Sequence, residues 1–425
     1  MRIVVWGINY APEVTGIAPY NTGLCRWLAA RGHEVHMVTT FAYYPQWRKA
    51  PADRGRLYRD ELDTPGVRVH RCWHYVPPQP STLKRIAHEF SFGFTSLLRI
   101  LRLPRADLYV VVSPPLVLGA LAWVATRLKR SRYWFHVQDL QPDAALGLGM
   151  VRPGLFTRSL FALEAFAYRN AAMVSGISQG MLDAFTRKGV PAAKQWYFPN
   201  WVSDEPPAPA TASASATSDF RRAHGIPPDA FLAVYSGNLG KKQGLGVLLD
   251  AAALLLRETN AADSAIAIII AGDGAGRPPL AARHAELGLS NVRLLPLLAD
   301  ADYRALLRSA DLALITQEKG TGQFFFPSKL LTVLGADLTV LAVADDDSEL
   351  ARALHQHRCG FVVPPADPAA LARALREIAA TPPARRDDIR ARGKAFTAAF
   401  SARFVLPAFE TRLKILVAES AGKNI

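Results

Sequence analysis

The sequence predicts an α/β protein built of two doubly wound parallel-sheet domains facing a cleft, and three observations predict it. Short runs rich in Val and Ile alternate with amphipathic stretches along the whole chain, the pattern of parallel sheets covered on both faces. The segment 204–218, with Pro206, Pro207 and Pro209 followed by Ala/Ser/Thr alternation, reads as a linker or flexible loop between two similar halves. Three turns in the second half stand where a strand gives way to a helix: Tyr235-Ser-Gly-Asn-Leu-Gly-Lys-Lys-Gln-Gly244, Ala271-Gly-Asp-Gly274 and Phe326-Pro-Ser-Lys-Leu330. Glycine in such a turn lets backbone N–H groups approach an anion at the positive end of a helix, and a lysine adds a full charge. Three of them suggest a diphosphate-bearing ligand.

In the first half the pattern predicts strands over Ile3–Trp6, Val35–Thr39, Val67–Arg71, Leu108–Ser113, Arg132–Val137, Met173–Gly176 and Gln195–Phe198, with a first helix near Tyr20–Arg31. The second half repeats the plan with strands over Phe231–Ser236, Ala265–Ala271, Val292–Leu294, Leu312–Ile315, Thr339–Ala342 and Gly360–Val363. Helices are expected over Gly246–Glu258, Asp302–Ser309, Ser348–His355, Pro368–Ala380 and Pro407–Val417. The boundaries that follow are 1–203 for the first domain, 204–218 for the linker and 219–399 for the second. Ligands of such sheets bind at the carboxyl ends of the strands.

A chain of 425 residues, half of them hydrophobic, is long enough for two or three domains with sizeable cores. Cys25, Cys72 and Cys359 lie far apart and without metal-ligand spacing, which argues against a disulfide scaffold or a zinc site and for a reducing compartment. The start, Met1-Arg-Ile-Val-Val-Trp-Gly-Ile, reads as a strand and turn and not as a signal peptide, so a cytoplasmic location is expected. The most apolar window, Pro115–Leu128, is shorter than the roughly 20 residues that span a bilayer.

Charge is uneven. Residues 1–203 hold 25 Lys+Arg against 12 Asp+Glu, so they carry +13 of the net +14, a footprint for a polyanion or an anionic membrane. Residues Leu83–Arg105 interleave Lys84, Arg85, Arg99, Arg102 and Arg105 with Ile86, Phe90, Phe92, Phe94, Leu97, Leu98, Ile100, Leu101 and Leu103, the composition of an interfacial amphipathic helix. Core packing with an outer charged face explains the same residues equally well. No nucleic-acid-binding pattern accompanies them, so an anionic membrane surface is the expected partner and nucleic acid is not.

The order Gly-Asn-Leu-Gly-x-Lys-Gln-Gly, Gly-Asp-Gly, Pro-Ser-Lys-Leu and Cys359-Gly-Phe-Val-Val-Pro-Pro-Ala-Asp-Pro368 resembles the retaining GT-B glycosyltransferases of family four. Gly7-Ile-Asn-Tyr-Ala-Pro-Glu13, Tyr43-Tyr-Pro-Gln-Trp47, Ser81-Thr-Leu-Lys-Arg85, Leu146-Gly-Leu-Gly149 and Phe198-Pro-Asn-Trp201 extend the resemblance over nearly the whole chain. It implies two Rossmann-like domains and transfer of a sugar, with retention, from a UDP- or GDP-sugar to a lipid-linked saccharide acceptor. No metal or other cofactor is implied. It also implies that a last helix near residues 400–425 packs back on the first domain. The setting would be the inner face of the plasma membrane.

Without a metal, protein cations and N–H dipoles must neutralise the leaving diphosphate. Lys242 and Lys329 take that role, helped by the backbone of Gly237, Asn238, Gly240, Lys241 and Gly244. Further donor contacts are expected from Gly16, Gly272, Asp273, Gly274, Pro327 and Ser328, although shape alone is the favoured role of Asp273. The sequence departs from the family at Asn238 and Gln243, where many members have Arg and Lys. It departs again at Thr332, where many have a ribose-binding glutamate, so Glu318 or Thr332 is left for the ribose. His136, in His136-Val-Gln-Asp139, is the expected contact to the transferred sugar, against the plainer reading of a buried structural histidine. Asp139 could orient it or take the acceptor's proton, or could cap the next helix. Tyr43, Tyr44 and Trp47 are candidates to stack on the acceptor. A GT-B epimerase and a non-catalytic membrane or polyanion binder are the alternatives. An oxidoreductase lacks its Gly-x-Gly-x-x-Gly turn after the first strand.

Overall fold

The computed structural model describes residues 1–79, 81–147, 149, 151–202, 214–257, 266–322 and 329–421, which form two compact units: Met1–Asn200 with Arg403–Ile425, and Trp201–Ala402.

The first unit is built on eight strands: β1 (Arg2–Trp6), β2 (Glu34–Thr40), β3 (Tyr58–Thr64), β4 (Val67–Cys72), β5 (Leu108–Ser113), β6 (Tyr133–Val137), β7 (Met173–Gly176) and β8 (Gln195–Tyr197). Their order is β3-β4-β2-β1-β5-β6-β7-β8, and every pairing is parallel except β3 with β4. β5 and β6 are buried at every position because helices cover both faces. The chain winds outward from β1 in one direction and resumes at β5 on the other side. The loops after β1 and β5 therefore flank the switch point at which such sheets bind ligands.

β3 is the one strand of this sheet that the hydrophobic pattern misses. Its sequence, Tyr-Arg-Asp-Glu-Leu-Asp-Thr, has no apolar run, and its charges are spent on neighbours: His70 Nδ1 lies 2.9 Å from Asp60, Arg71 pairs with Glu61 at 2.6 Å, and Arg26 with Asp63 at 2.7 Å. A charged strand suits a sheet edge, where it discourages further pairing.

Helix Ala402–Ala421 returns to this unit. Phe409 stacks on Phe198 with ring centroids 4.4 Å apart, and Glu410 accepts from His33 at 3.0 Å.

The second unit has six parallel strands, β9 (Phe231–Asn238), β10 (Ile266–Asp273), β11 (Val292–Leu295), β12 (Leu312–Thr316), β13 (Thr339–Val343) and β14 (Phe361–Val363), ordered β11-β10-β9-β12-β13-β14. Alternate residues serve opposite cores. Ala233, Tyr235, Ile268 and Ile270 face one cluster, while Leu232, Val234, Ile269 and Ala271 face the other. Its switch point lies between β9 and β12.

One boundary is corrected. The segment expected as a linker over 204–218 is helical from Ala214, in helix Ala214–Ala223, whose Phe220 is buried against Leu232 and Val234. Residues 204–213 lie outside the described residues.

Candidate active site

In the second unit, the glycine turns after β9 and β10 fold against each other. Gly237 and Gly272 face each other across the strand pair with φ of 133° and 153°, and a methyl group on Gly272 would stand 1.8 Å from Gly237 O. Leu239 N donates to Asp273 O at 2.8 Å and Gly276 N to Leu239 O at 2.7 Å. Asp273 Oδ1 accepts from Gly274 N at 2.8 Å, and Gln243 Oε1 accepts from Gly240 N at 3.1 Å, so both side chains shape the turns they sit in. Gly244, at φ 57°, lies against Glu318, whose N–H donates to Lys242 O at 2.9 Å. The loops after β9 and β12 are thereby tied together at the switch point.

Lys329 opens helix Lys329–Gly335 and projects into this place. Its Nζ donates to Tyr235 Oη at 2.7 Å and stands 4.1 Å from the centre of that ring, while Tyr235 Oη donates to Asn238 O at 2.7 Å. A methyl group on Gly237 would come within 2.5 Å of the ammonium, so the glycine is what admits it. Burial of the ammonium, and next the neighbouring Lys242, lower its pKa to about 7. The pocket thus holds two cationic groups, one of them poorly hydrated, where an anion would relieve both costs. Lys242 is half-buried and Lys241 exposed; Thr332 is exposed one turn beyond Lys329. Pro327 and Ser328 lie outside the described residues.

In the first unit, the loops after β1 and β2 meet through Glu13, which closes the motif Gly7–Glu13 and for which the sequence predicted no role. Glu13 Oε1 accepts from the N–H groups of Tyr43 and Tyr44, both at 2.8 Å, and Oε2 accepts from Asn9 Nδ2 at 2.7 Å. Tyr43 is buried, with Trp47 5.5 Å away centre to centre; Tyr44 and Trp47 are half-buried. Gly16, expected beside the donor, lies in this unit 3.7 Å from the Tyr44 ring by its would-be Cβ. Burial pushes the Tyr44 phenol up to about 12, with Arg85 acting against and Asp139 and Glu13 acting with it. Tyr43, Tyr44, Trp47 and Asp139 are therefore gathered in one place. Arg85, expected on a membrane-facing surface, joins them by lying 5.4 Å over the Trp47 ring.

His136 is corrected to a structural group. It sits inside β6, buried, with Nδ1 2.9 Å from Ser175 Oγ and Nε2 2.9 Å from Gln138 Nε2, and burial lowers its pKa to about 3. Gln138 and Asn200 close the network with reciprocal amide bonds of 3.0 and 3.1 Å. Both ring nitrogens of a neutral imidazole are engaged, so it has none to offer a sugar. Arg99 is likewise drawn inward, bonded to Asp60 on β3, whereas Lys84 and Arg102 are exposed.

Two Rossmann-like sheets, with a cationic glycine-turn site at the switch point of the second, define a GT-B glycosyltransferase. Residues 15–201 match the glycosyl transferase 4-like domain family and residues 217–396 the glycosyl transferases group 1 family. The chain is 34% identical over 357 residues, 83% of its length and 85% of the relative's, to WcaI of Escherichia coli strain K12, assigned as a colanic acid biosynthesis glycosyl transferase. It belongs to the WcaI-like GT-B glycosyltransferases. Among solved structures, the sucrose-phosphate synthase of Thermosynechococcus elongatus superposes with a TM-score of 0.74 at 17% identity, over 98% of this chain and 99% of that one. HepE of Anabaena, solved with UDP and glucose, gives 0.69 at 17% identity, over 97% and 99%.

Proposed function

We propose that this glycosyltransferase moves a sugar, with retention and without a metal, from a UDP- or GDP-sugar to a lipid-linked exopolysaccharide precursor of the colanic acid kind. The observation that carries the donor side is the Lys329 ammonium, seated on Tyr235 and Gly237 beside Lys242. Preorganised cations and N–H groups stabilise charge that develops on a leaving diphosphate, the role a divalent ion would otherwise fill. HepE was solved with UDP, which favours a nucleoside diphosphate donor, and WcaI's assignment suggests the polysaccharide. Retention is carried over from the family resemblance.

Thermal unfolding against UDP, GDP, ADP and dTDP, each with and without EDTA, tests the donor side. A ligand at 100 times its Kd stabilises by about 2.7 kcal/mol, so one nucleotide is expected to raise the Tm in EDTA as much as without it. No shift with any of them, or a shift that EDTA abolishes, refutes the metal-free donor site.

The lipid-linked acceptor calls for a location at the inner face of the plasma membrane, and helix Thr82–Arg102 supports it. Leu83 is 77%, Phe90 54% and Phe94 64% exposed along one helical stripe, with Lys84 alongside, while Phe92, Ser96 and Ile100 are buried on the other face. No helix among the described residues is long and apolar enough to cross a membrane. Replacing Leu83, Phe90 and Phe94 together by Ser is expected to reduce sedimentation with phosphatidylglycerol vesicles roughly tenfold or more, since each removes about 1.5 kcal/mol or more of apolar burial in the interface. Unchanged sedimentation would dismiss this helix as the contact.

A further inference from the structure

Helix Thr82–Arg102 carries a single carboxylate within its basic and apolar sequence, Glu89, and the mechanism sketched above does not use it. Glu89 Oε1 accepts from Gln141 Nε2 at 3.0 Å, and Gln141 is itself fixed because its Oε1 accepts from Leu116 N at 2.6 Å. Helix Gln141–Gly147 is anchored in turn by Lys188, which pairs with Asp143 and, at 2.5 Å, with Glu164. The carboxyl is thus held rigidly through one oxygen. The other has no hydrogen-bond partner among the described residues, and the side chain is only half-buried.

Its place in the fold is informative. Leu116 and Gln141 follow the carboxyl ends of β5 and β6, and Tyr43, on which Glu89 acts electrostatically, follows that of β2. Glu89 therefore stands at the switch point of the first sheet, on the side where ligands bind. Among the described residues, the carboxylates that act on the Tyr43–Tyr44 pair are Glu13, Glu89 and Asp139, and the cation that acts on it most is Arg85. A phosphate or carboxylate brought here would meet more like charge than opposite charge, whereas a sugar hydroxyl would find an unfilled acceptor beside half-buried aromatic rings.

Resting on the glycosyltransferase reading, we infer that Glu89 is a specificity-determining residue of the acceptor site, its free oxygen accepting a hydrogen bond from a hydroxyl of an uncharged sugar ring. The site selects neutral saccharide at this position and rejects uronic acids and sugar phosphates. Burial raises the Glu89 pKa to about 7, with Gln141 and then Arg85 opposing the rise. Among the described residues, Arg85 and His88 on its own helix and the Tyr43 phenol from the facing loop are charged or titratable groups near it, and burial keeps His88 neutral by lowering its pKa to about 4. Ionisation makes the carboxylate the stronger acceptor, so sugar binding should strengthen as pH rises through 7.

The test uses the full chain and saturation-transfer NMR with methyl β-glucopyranoside, methyl β-galactopyranoside and sodium glucuronate, at about pH 6 and about pH 8. At least one neutral glycoside should receive saturation, more at the higher pH, and glucuronate should not. In Glu89→Gln the neutral signal should fall roughly tenfold and lose its pH dependence. The Tm shift with nucleotide, which reads the second unit, should be unchanged. Equal saturation of glucuronate, no saturation of either neutral glycoside, or wild-type behaviour of the variant overturns the inference. If tryptophan emission shows that the variant has not folded, the wild-type protein decides: a neutral-sugar signal independent of pH overturns it too. Loss of nucleotide binding in the wild type would instead refute the donor reading, which keeps the two failures apart.

Discussion

Lys329→Ala is expected to lower kcat/KM for the nucleotide-sugar by roughly 10²–10³-fold while the protein stays folded, the loss typical when one preorganised donor is taken from developing negative charge. The ammonium is positioned through Tyr235, and its pocket exists because Gly237 has no side chain. Lys329→Arg should not rescue activity, because the planar guanidinium is wider than the place the ammonium occupies between Gly237 and the Tyr235 ring. Steady-state kinetics with folding checked by circular dichroism decides the matter. Near-normal turnover in Lys329→Ala would remove it from the donor site.

The same residue sets a pH dependence whose sign can be worked out. A lysine in an unfolded chain titrates near 10.4, and Lys329 in the folded one at about 7. Between those values the unfolded chain holds the proton and the native chain does not, so stability of the unliganded protein rises with pH across that window. Below about 7 both states are protonated and the full cost of burying the charge is present. A bound diphosphate restores the proton by supplying the missing counter-charge. Nucleotide binding above pH 7 should therefore take up protons, and affinity should fall as pH rises. Calorimetry in buffers of different ionisation enthalpy measures that uptake, and Lys329→Ala should abolish it.

Most of the sheet order was legible because short runs buried on both faces leave a plain trace, as at the valine-rich Leu108–Ser113 and at Met173–Gly176, whose expected limits match the strands found. β3 left none, since Asp60, Glu61 and Asp63 pair with charged or polar side chains on other elements, which leaves no apolar run to read. His136 misled for a related reason. In a strand buried on both faces, sequence does not say whether a polar residue near the end points at a ligand or at Ser175 on the next strand. Helix Ala214–Ala223 was hidden by the proline-rich composition before it, although Ala, Phe220 and Arg221 are adequate helix formers once Phe220 has a core to enter. Lys329 was legible from its motif, but Tyr235, its partner 94 residues earlier, was not, because nothing local links them. The roles of Glu13 and Glu89 were not legible because a carboxylate in a loop or on a basic helix looks like ordinary surface until the fold brings its partners to it.

Gly272→Ala is expected to have the largest effect on stability, about 4 kcal/mol or more, the range single substitutions reach only through a named steric conflict. The new methyl group would stand 1.8 Å from Gly237 O and 2.9 Å from Gly237 C, on backbone already at φ 153°. Neither strand can yield. β9 and β10 are both interior strands of their sheet, in register from Phe231 with Ile266 to Asn238 with Asp273. Gly288→Ala is the control: it too has positive φ, 59°, but nothing lies within 4 Å of the added carbon, so it should cost only about 1 kcal/mol. Urea unfolding followed by circular dichroism gives both values, with the second unit's transition read separately because two units need not unfold together. The comparison with Lys329→Ala separates two ways of losing a donor site. A glycine that acts by shape takes the fold of the turns with it, whereas a lysine that acts by charge leaves the fold and removes only the binding. If Gly272→Ala unfolds with the stability of the wild type, the turns are looser than their contacts imply, and the glycines assigned to the donor would have to act by touching it directly.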